Sequence, residues 1–101
     1  MVSSVESSDN FSKGMQTIER AIIEGVWKVG RNITNADFFW HRGQEAVSRP
    51  EMIDLRVRLG RREAVGVFSR EEVEDSADRV DRPETLRTIK RIIAEAKQLR
   101  R

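Results

Sequence analysis

The chain has one histidine, His41 in "FFWHRG", and Asp37 precedes it by four residues. On a helix that spacing brings a carboxylate and an imidazole to one face, where the pair can serve as an oriented acid and base near neutral pH. No serine–base pairing or second ligand stands near it. A metal site takes three or four ligands, and with no cysteine and one histidine only carboxylates remain to supply them. The densest run is "REEVEDSAD", with Glu71, Glu72, Glu74, Asp75 and Asp78. It lacks the spacing and the glycine turn of a calcium loop, and acids in a first helical turn complement the helix dipole. "GRNITNAD" and "LGRRE" hold one glycine each, so no phosphate-cradling loop is present. The residues therefore predict no enzyme, no cofactor and no small-molecule ligand.

A second chemistry belongs to the arginines. In "IDLRVRLGRREAVGVF" the apolar Ile53, Leu55, Val57 and Leu59 alternate with Asp54, Arg56 and Arg58, and Arg61 and Arg62 follow Gly60. A two-stranded ribbon fits a nucleic-acid major groove, and arginine makes bidentate contacts to phosphate or guanine. Arg87, Lys90, Arg91, Lys97 and Arg101 add a basic face to the last helix. Nucleic-acid binding through this hairpin and helix is the alternative expectation. Against it, alternating arginines also keep a solvated strand face wet and protect its edge. The chain carries a net charge of only +2.

A third possibility lies on the first helix, where Ile23 and Trp27 stand four apart and well round from its main apolar stripe. Tryptophan and arginine are enriched at interaction hot spots, and symmetric dimers are the commonest assemblies. The leading expectation is a small non-enzymatic protein-interaction or regulatory module, either a homodimer or bound to a protein partner through Ile23 and Trp27.

These residues need elements to position them. At 101 residues, 38% hydrophobic and 36% charged, the chain suits one domain. Residues 1–9, polar and without periodicity, read as a flexible N-terminal segment, and 10–101 as a single α+β domain. The first helix is expected to start after Ser8 or Asp9 and to end near Gly30. Its stripe is Phe11, Met15, Ile18, Ile22, Val26 and Val29. Gly14 and Gly25 inside it each cost about 1 kcal/mol relative to alanine, which close approach of another backbone would justify.

Thr34 as N-cap, Asp37 in a capping box and the Ile33–Phe38 staple predict a second helix to about Val47 that buries Phe39, Trp40 and Val47. "SRPEM" repeats the capping signal, but the alternation from Ile53 favours strand. Residues 52–59 and 64–68 then form an antiparallel hairpin. Ser69 and Glu72 box a short helix burying Val73, Ala77 and Val80. Asp81, Pro83 and Glu84 open the last helix, with Leu86, Ile89, Ile93, Ala96 and Leu99 inward. The expected order is α-α-β-β-α-α, with the hairpin's apolar face on the first and last helices.

The charges are segmental. Residues 71–81 carry six acidic groups and one basic, between two basic stretches, which predicts pairing within the chain. With no cysteine, no membrane-spanning apolar run and no signal-peptide pattern, the expected location is cytoplasmic.

Overall fold

A computed structural model describes residues 2–41 and 52–98, with side chains from residue 10 onward. Its first element is α1 (Val2–Lys28). Phe11, Ile18, Ile22 and Val26 are buried along the expected stripe, with Met15 and Val29 packed at its margin. The helix begins before the Ser8 and Asp9 caps. Ser and Asp in a helix interior cost at most about 0.7 kcal/mol each, too little to force a start there. Its other end is firmly set. Gly30 has φ +91°, its N–H donates to the Trp27 carbonyl at 2.9 Å, and the Arg31 N–H donates to the Val26 carbonyl at 3.1 Å. That pair of bonds is a Schellman stop, and only glycine takes its left-handed position without strain.

Over the described residues 34–41 the expected second helix does not form. Its capping box forms: Thr34 Oγ1 accepts the Ala36 N–H at 3.2 Å, and Asp37 Oδ2 accepts the Thr34 N–H at 3.0 Å. The box closes only one 3-10 turn, Asn35–Asp37, and strand β1 (Phe38–His41) follows at once. The aromatic run fits a pleated surface better than a helix, and a lone two-stranded hairpin is marginal in water. Adding "FFWH" as a third strand satisfies both. Phe39 and Trp40 are strand residues, not helical core, while Val47 and "SRPEM" up to Glu51 lie outside the described residues.

β2 (Met52–Leu59) and β3 (Arg62–Ser69) form the hairpin, longer on its second arm than the expected 64–68. Gly60 and Arg61 make the turn, with positive φ only at Gly60, as a type II′ turn requires of its first residue. The sheet order is β1-β2-β3, antiparallel throughout. Phe38, Val57 and Ala64 share one row, and Trp40, Leu55 and Gly66 the next. These rows face the helices. Ile53, Leu55, Val57, Leu59 and Phe68 are buried, and the Trp40 and Phe68 rings meet at 5.9 Å.

α2 (Arg70–Asp75) is shorter than the spacing of Val73, Ala77 and Val80 suggested, and of these only Val73 is fully buried. Its capping box is formed as expected, Ser69 Oγ accepting the Glu72 N–H and Glu72 Oε2 accepting the Ser69 N–H. The remaining Glu72 oxygen accepts the Thr85 hydroxyl at 2.7 Å. A buried carboxylate is tolerable only when satisfied in this way. The bond draws Thr85 inward on α3 (Pro83–Gln98), so Thr85, Ile89, Ile92 and Ala96 form the buried row. Leu86, expected inside, is left exposed, and Leu99 lies outside the described residues.

Both helical glycines mark close contacts. A Cβ on Gly14 would lie 1.7 Å from the Val73 carbonyl oxygen, and one on Gly25 would lie 2.1 Å from Ile93 Cδ1. α1 thus sits against α2 and α3 with no room for a methyl group. Among the described residues the fold is α+β, three α-helices on one face of a three-stranded sheet, in the order α-β-β-β-α-α. Among the described residues no helix is long and apolar enough to cross a membrane.

Candidate functional site

Glu19, Ile23 and Trp27 follow one another at four-residue intervals on α1, so they form a single row along the helix. Glu19 fixes where that row lies. Its Oε2 accepts the indole N–H of Trp40 at 2.6 Å, and its Oε1 accepts the Asn35 side-chain amide at 2.6 Å. Asn35 leads into β1 and Trp40 lies within it, so the row runs above the outermost strand. Ile23 is half-buried against the core, whereas Trp27 is 63% exposed. Ser12, Met15, Gln16, Glu19, Arg20 and Ile23, with Asn35, line a groove of about 570 Å³. Among the described residues no strand pairs with the other side of β1.

The opposite strand edge is guarded. Arg91 on α3 donates from Nη2 to the Val65 carbonyl of β3 at 2.8 Å. Placing arginine on an edge carbonyl discourages pairing with another chain. The sheet therefore has one protected edge and one without described cover.

The sheet's outer face carries Phe39, Arg56 and Val65 in one row and His41, Asp54 and Val67 in the next. Phe39, Val65 and Val67 are each about 40% exposed. Arg58 sets its guanidinium 5.2 Å from the centre of the Phe39 ring, and Arg56 lies 3.9 Å from Glu63. Arg61 and Arg62 are exposed at the turn. Arg56 and Arg58 thus stand together beside an aromatic ring, whereas Arg62 pairs with Leu59 on the row that faces the helices.

The helical half of the expected basic surface does not join them. α3 packs on the buried face of the sheet, where Thr88 and Ile92 fill the space a Cβ on Gly66 would need. Its exposed Arg87, Lys90 and Lys97 lie across the sheet from Arg56 and Arg58. Arg91 is engaged with Val65, and Arg101 lies outside the described residues. The basic residues of the hairpin and of α3 therefore lie on separate surfaces. Alternation and helical phase place charges on their own elements but do not say which faces meet.

The acidic run is occupied by structure. Arg82 Nη1 lies 3.4 Å from Glu71 and 3.1 Å from Asp75, and its Nη2 lies 2.7 Å from Glu84. Glu74 pairs with Arg70, and Glu72 is the buried cap. The hydrogen bond that Arg82 donates to Glu84, with smaller help from those to Glu71 and Asp75, holds the Arg82 guanidinium above its ordinary range. Glu84 moves the opposite way. A bond to its own N–H in the first turn, then the Arg82 guanidinium, hold its carboxyl below the usual carboxylate range. Among the described residues no three His, Asp or Glu side chains converge as a metal cage would need. Asp37 and His41 sit on a 3-10 turn and a strand, not on one helical face, and His41 is exposed beside the cross-strand Asp54.

Comparison of the chain with protein-family models, with curated proteins and with solved structures finds no match. The functional reading therefore rests on these surfaces alone.

The sequence reading missed Phe39 on the outer face and Glu19 as the anchor of β1. The β-prone aromatic run Phe38, Phe39 and Trp40 was a usable signal for the first, since successive strand residues face opposite sides. Nothing local marked Glu19, because its partners lie 16 and 21 residues away.

Proposed function

We propose that the chain is a non-enzymatic interaction module that associates with itself through the α1 flank carrying Ile23 and Trp27. The observation that carries this reading is the 63% exposure of Trp27 on a helix whose stripe already fills the core. Burying an indole removes on the order of 200 Å² from water, worth several kcal/mol at about 25 cal/mol per Å². An isolated exposed aromatic is ordinary, but this one stands one helical turn beyond Ile23, which is half-buried and lines the groove. We take the cytoplasm as its compartment, a reading supported by the cysteine-free composition. The test is association state against concentration for the parent and Trp27→Ser. The reading expects reversible dimers that the substitution disperses without loss of folded structure.

A second reading is favoured by the Phe39–Arg58 contact. An aromatic ring flanked by Arg56 and Arg58, on a sheet face that no described element covers, can stack a base and neutralise phosphates. This reading confines nucleic-acid binding to single strands on the sheet face and leaves α3 out of it. Affinity for a fluorescent single strand should then fall by roughly 0.7 log unit per phosphate contact for each log unit of salt. Arg56, Arg58, Arg61 and Arg62 changed together to Ser should abolish it. No binding at low salt would leave the arginines as solubility devices.

A further inference from the structure

We infer that a second copy of this chain docks antiparallel along the β1 edge, so that each copy's Trp27 enters the other's groove. The inference rests on the self-association just proposed and specifies its geometry. Three observations converge on one two-fold axis.

The first is spacing along α1. The groove's lining on α1 runs from Ser12 to Ile23 and includes Gln16, and Trp27 stands eleven residues beyond Gln16. At 1.5 Å per residue that is about 17 Å. In an antiparallel pair of helices Trp27 reaches the partner's Gln16 when the axis crosses between residues 21 and 22. The two insertions are then equivalent, as a two-fold contact requires.

The second is charge. Arg20 and Glu24 are exposed and lie on either side of that midpoint. The same axis sets each copy's Arg20 within one residue, about 1.5 Å along the helix, of level with the other's Glu24, so the solvent rim pairs opposite charges. Parallel docking would set like against like.

The third is the strand edge. Glu19 lies within one turn of the axis and holds Trp40 directly, so β1 is centred near the same axis. Two β1 strands brought together across it would continue the three-stranded sheet as a six-stranded one. Their α1 helices would then lie side by side on one face, near the usual packing distance of 8–10 Å. The Arg91 bond closes the β3 edge to such pairing, and among the described residues no strand pairs with the outer edge of β1. The stretch from Ser12 to Trp27 is about 24 Å long, and one helix on one sheet layer is about 20 Å deep. A face of that size buries about 1,000 Å² over both copies, the lower bound for a specific interface. The association expected is reversible, not permanent.

The chain has no cysteine, so a single introduced one can be labelled without ambiguity. Arg20→Cys and, separately, Lys90→Cys would carry a spin label in the full-length protein. The docking expects label pairs closer than about 20 Å at position 20, and longer separations at position 90 on α3. It also expects Gln16→Arg, which obstructs the groove from an exposed position, to weaken association at least tenfold with unchanged melting. A dimer with no short distance at position 20, or one indifferent to Gln16→Arg, would overturn the docking and leave self-association standing. A protein monomeric at every concentration would overturn both.

Discussion

The carboxylate of Glu19 holds the indole N–H of Trp40 at 2.6 Å, and this contact joins the outermost strand to the longest helix across 21 residues of sequence. A hydrogen bond to a charged acceptor contributes about 1.5–3 kcal/mol. Glu19→Ala should therefore destabilise the fold by about that much in urea titration. Trp40 should become more accessible to a fluorescence quencher, measured with Trp27 replaced by Phe. Unchanged stability would mean that β1 is held by its ladder alone.

The two helical glycines should respond differently to a methyl group. At Gly14 the new Cβ would meet the Val73 backbone, which cannot move aside without shifting α2. Overpacking costs about 1–3 kcal/mol, more than the roughly 1 kcal/mol that alanine gains in a helix. Gly14→Ala should lower thermal stability. At Gly25 the clash is with the end of the Ile93 side chain, which can change rotamer, so Gly25→Ala should be milder. The reverse ranking would show that α2 is loosely attached.

Val57 is fully buried at the centre of the sheet, between Phe38 and Ala64. Val57→Asp places an unpaired charge there and should abolish cooperative unfolding by circular dichroism. A variant that melts like the parent would mean that the apolar face of β2 does not pack on the helices.

These elements also show what was legible in advance. The alternation from Ile53 to Leu59, the α1 stripe and the Ser69–Glu72 box depend on neighbours within a few residues, and each is found in place. The segment from Thr34 carried two local signals in conflict, a helix cap and a β-prone aromatic run. Pairing with Val57, some twenty residues away, settled it, and no local rule contains that contact. The same long-range pairing turned Phe39 outward and made β1 an edge. Trp27 was legible as an off-stripe residue, but the groove that Ile23 lines includes Asn35 and needed the fold.

The acid dependence of stability should include a contribution from Glu84. Its folded carboxyl titrates lower than the unfolded one, so it stabilises the fold above the ordinary carboxylate range. That contribution fades as pH falls through the lower folded value. Glu84→Gln should reduce thermal stability slightly at neutral pH and match the parent at strongly acid pH. A stability difference that persists in acid would point to packing instead. The raised Arg82 value acts only in strong alkali and leaves this window untouched.

The central claim is that Trp27 is an interface residue, and sedimentation equilibrium tests it most directly. Run over micromolar to millimolar concentration, the parent should fit a reversible monomer–dimer equilibrium. Trp27→Ser should remain monomeric with the parent's circular dichroism and melting curve. A parent that stays monomeric throughout, or a dimer unaffected by Trp27→Ser, would contradict the account.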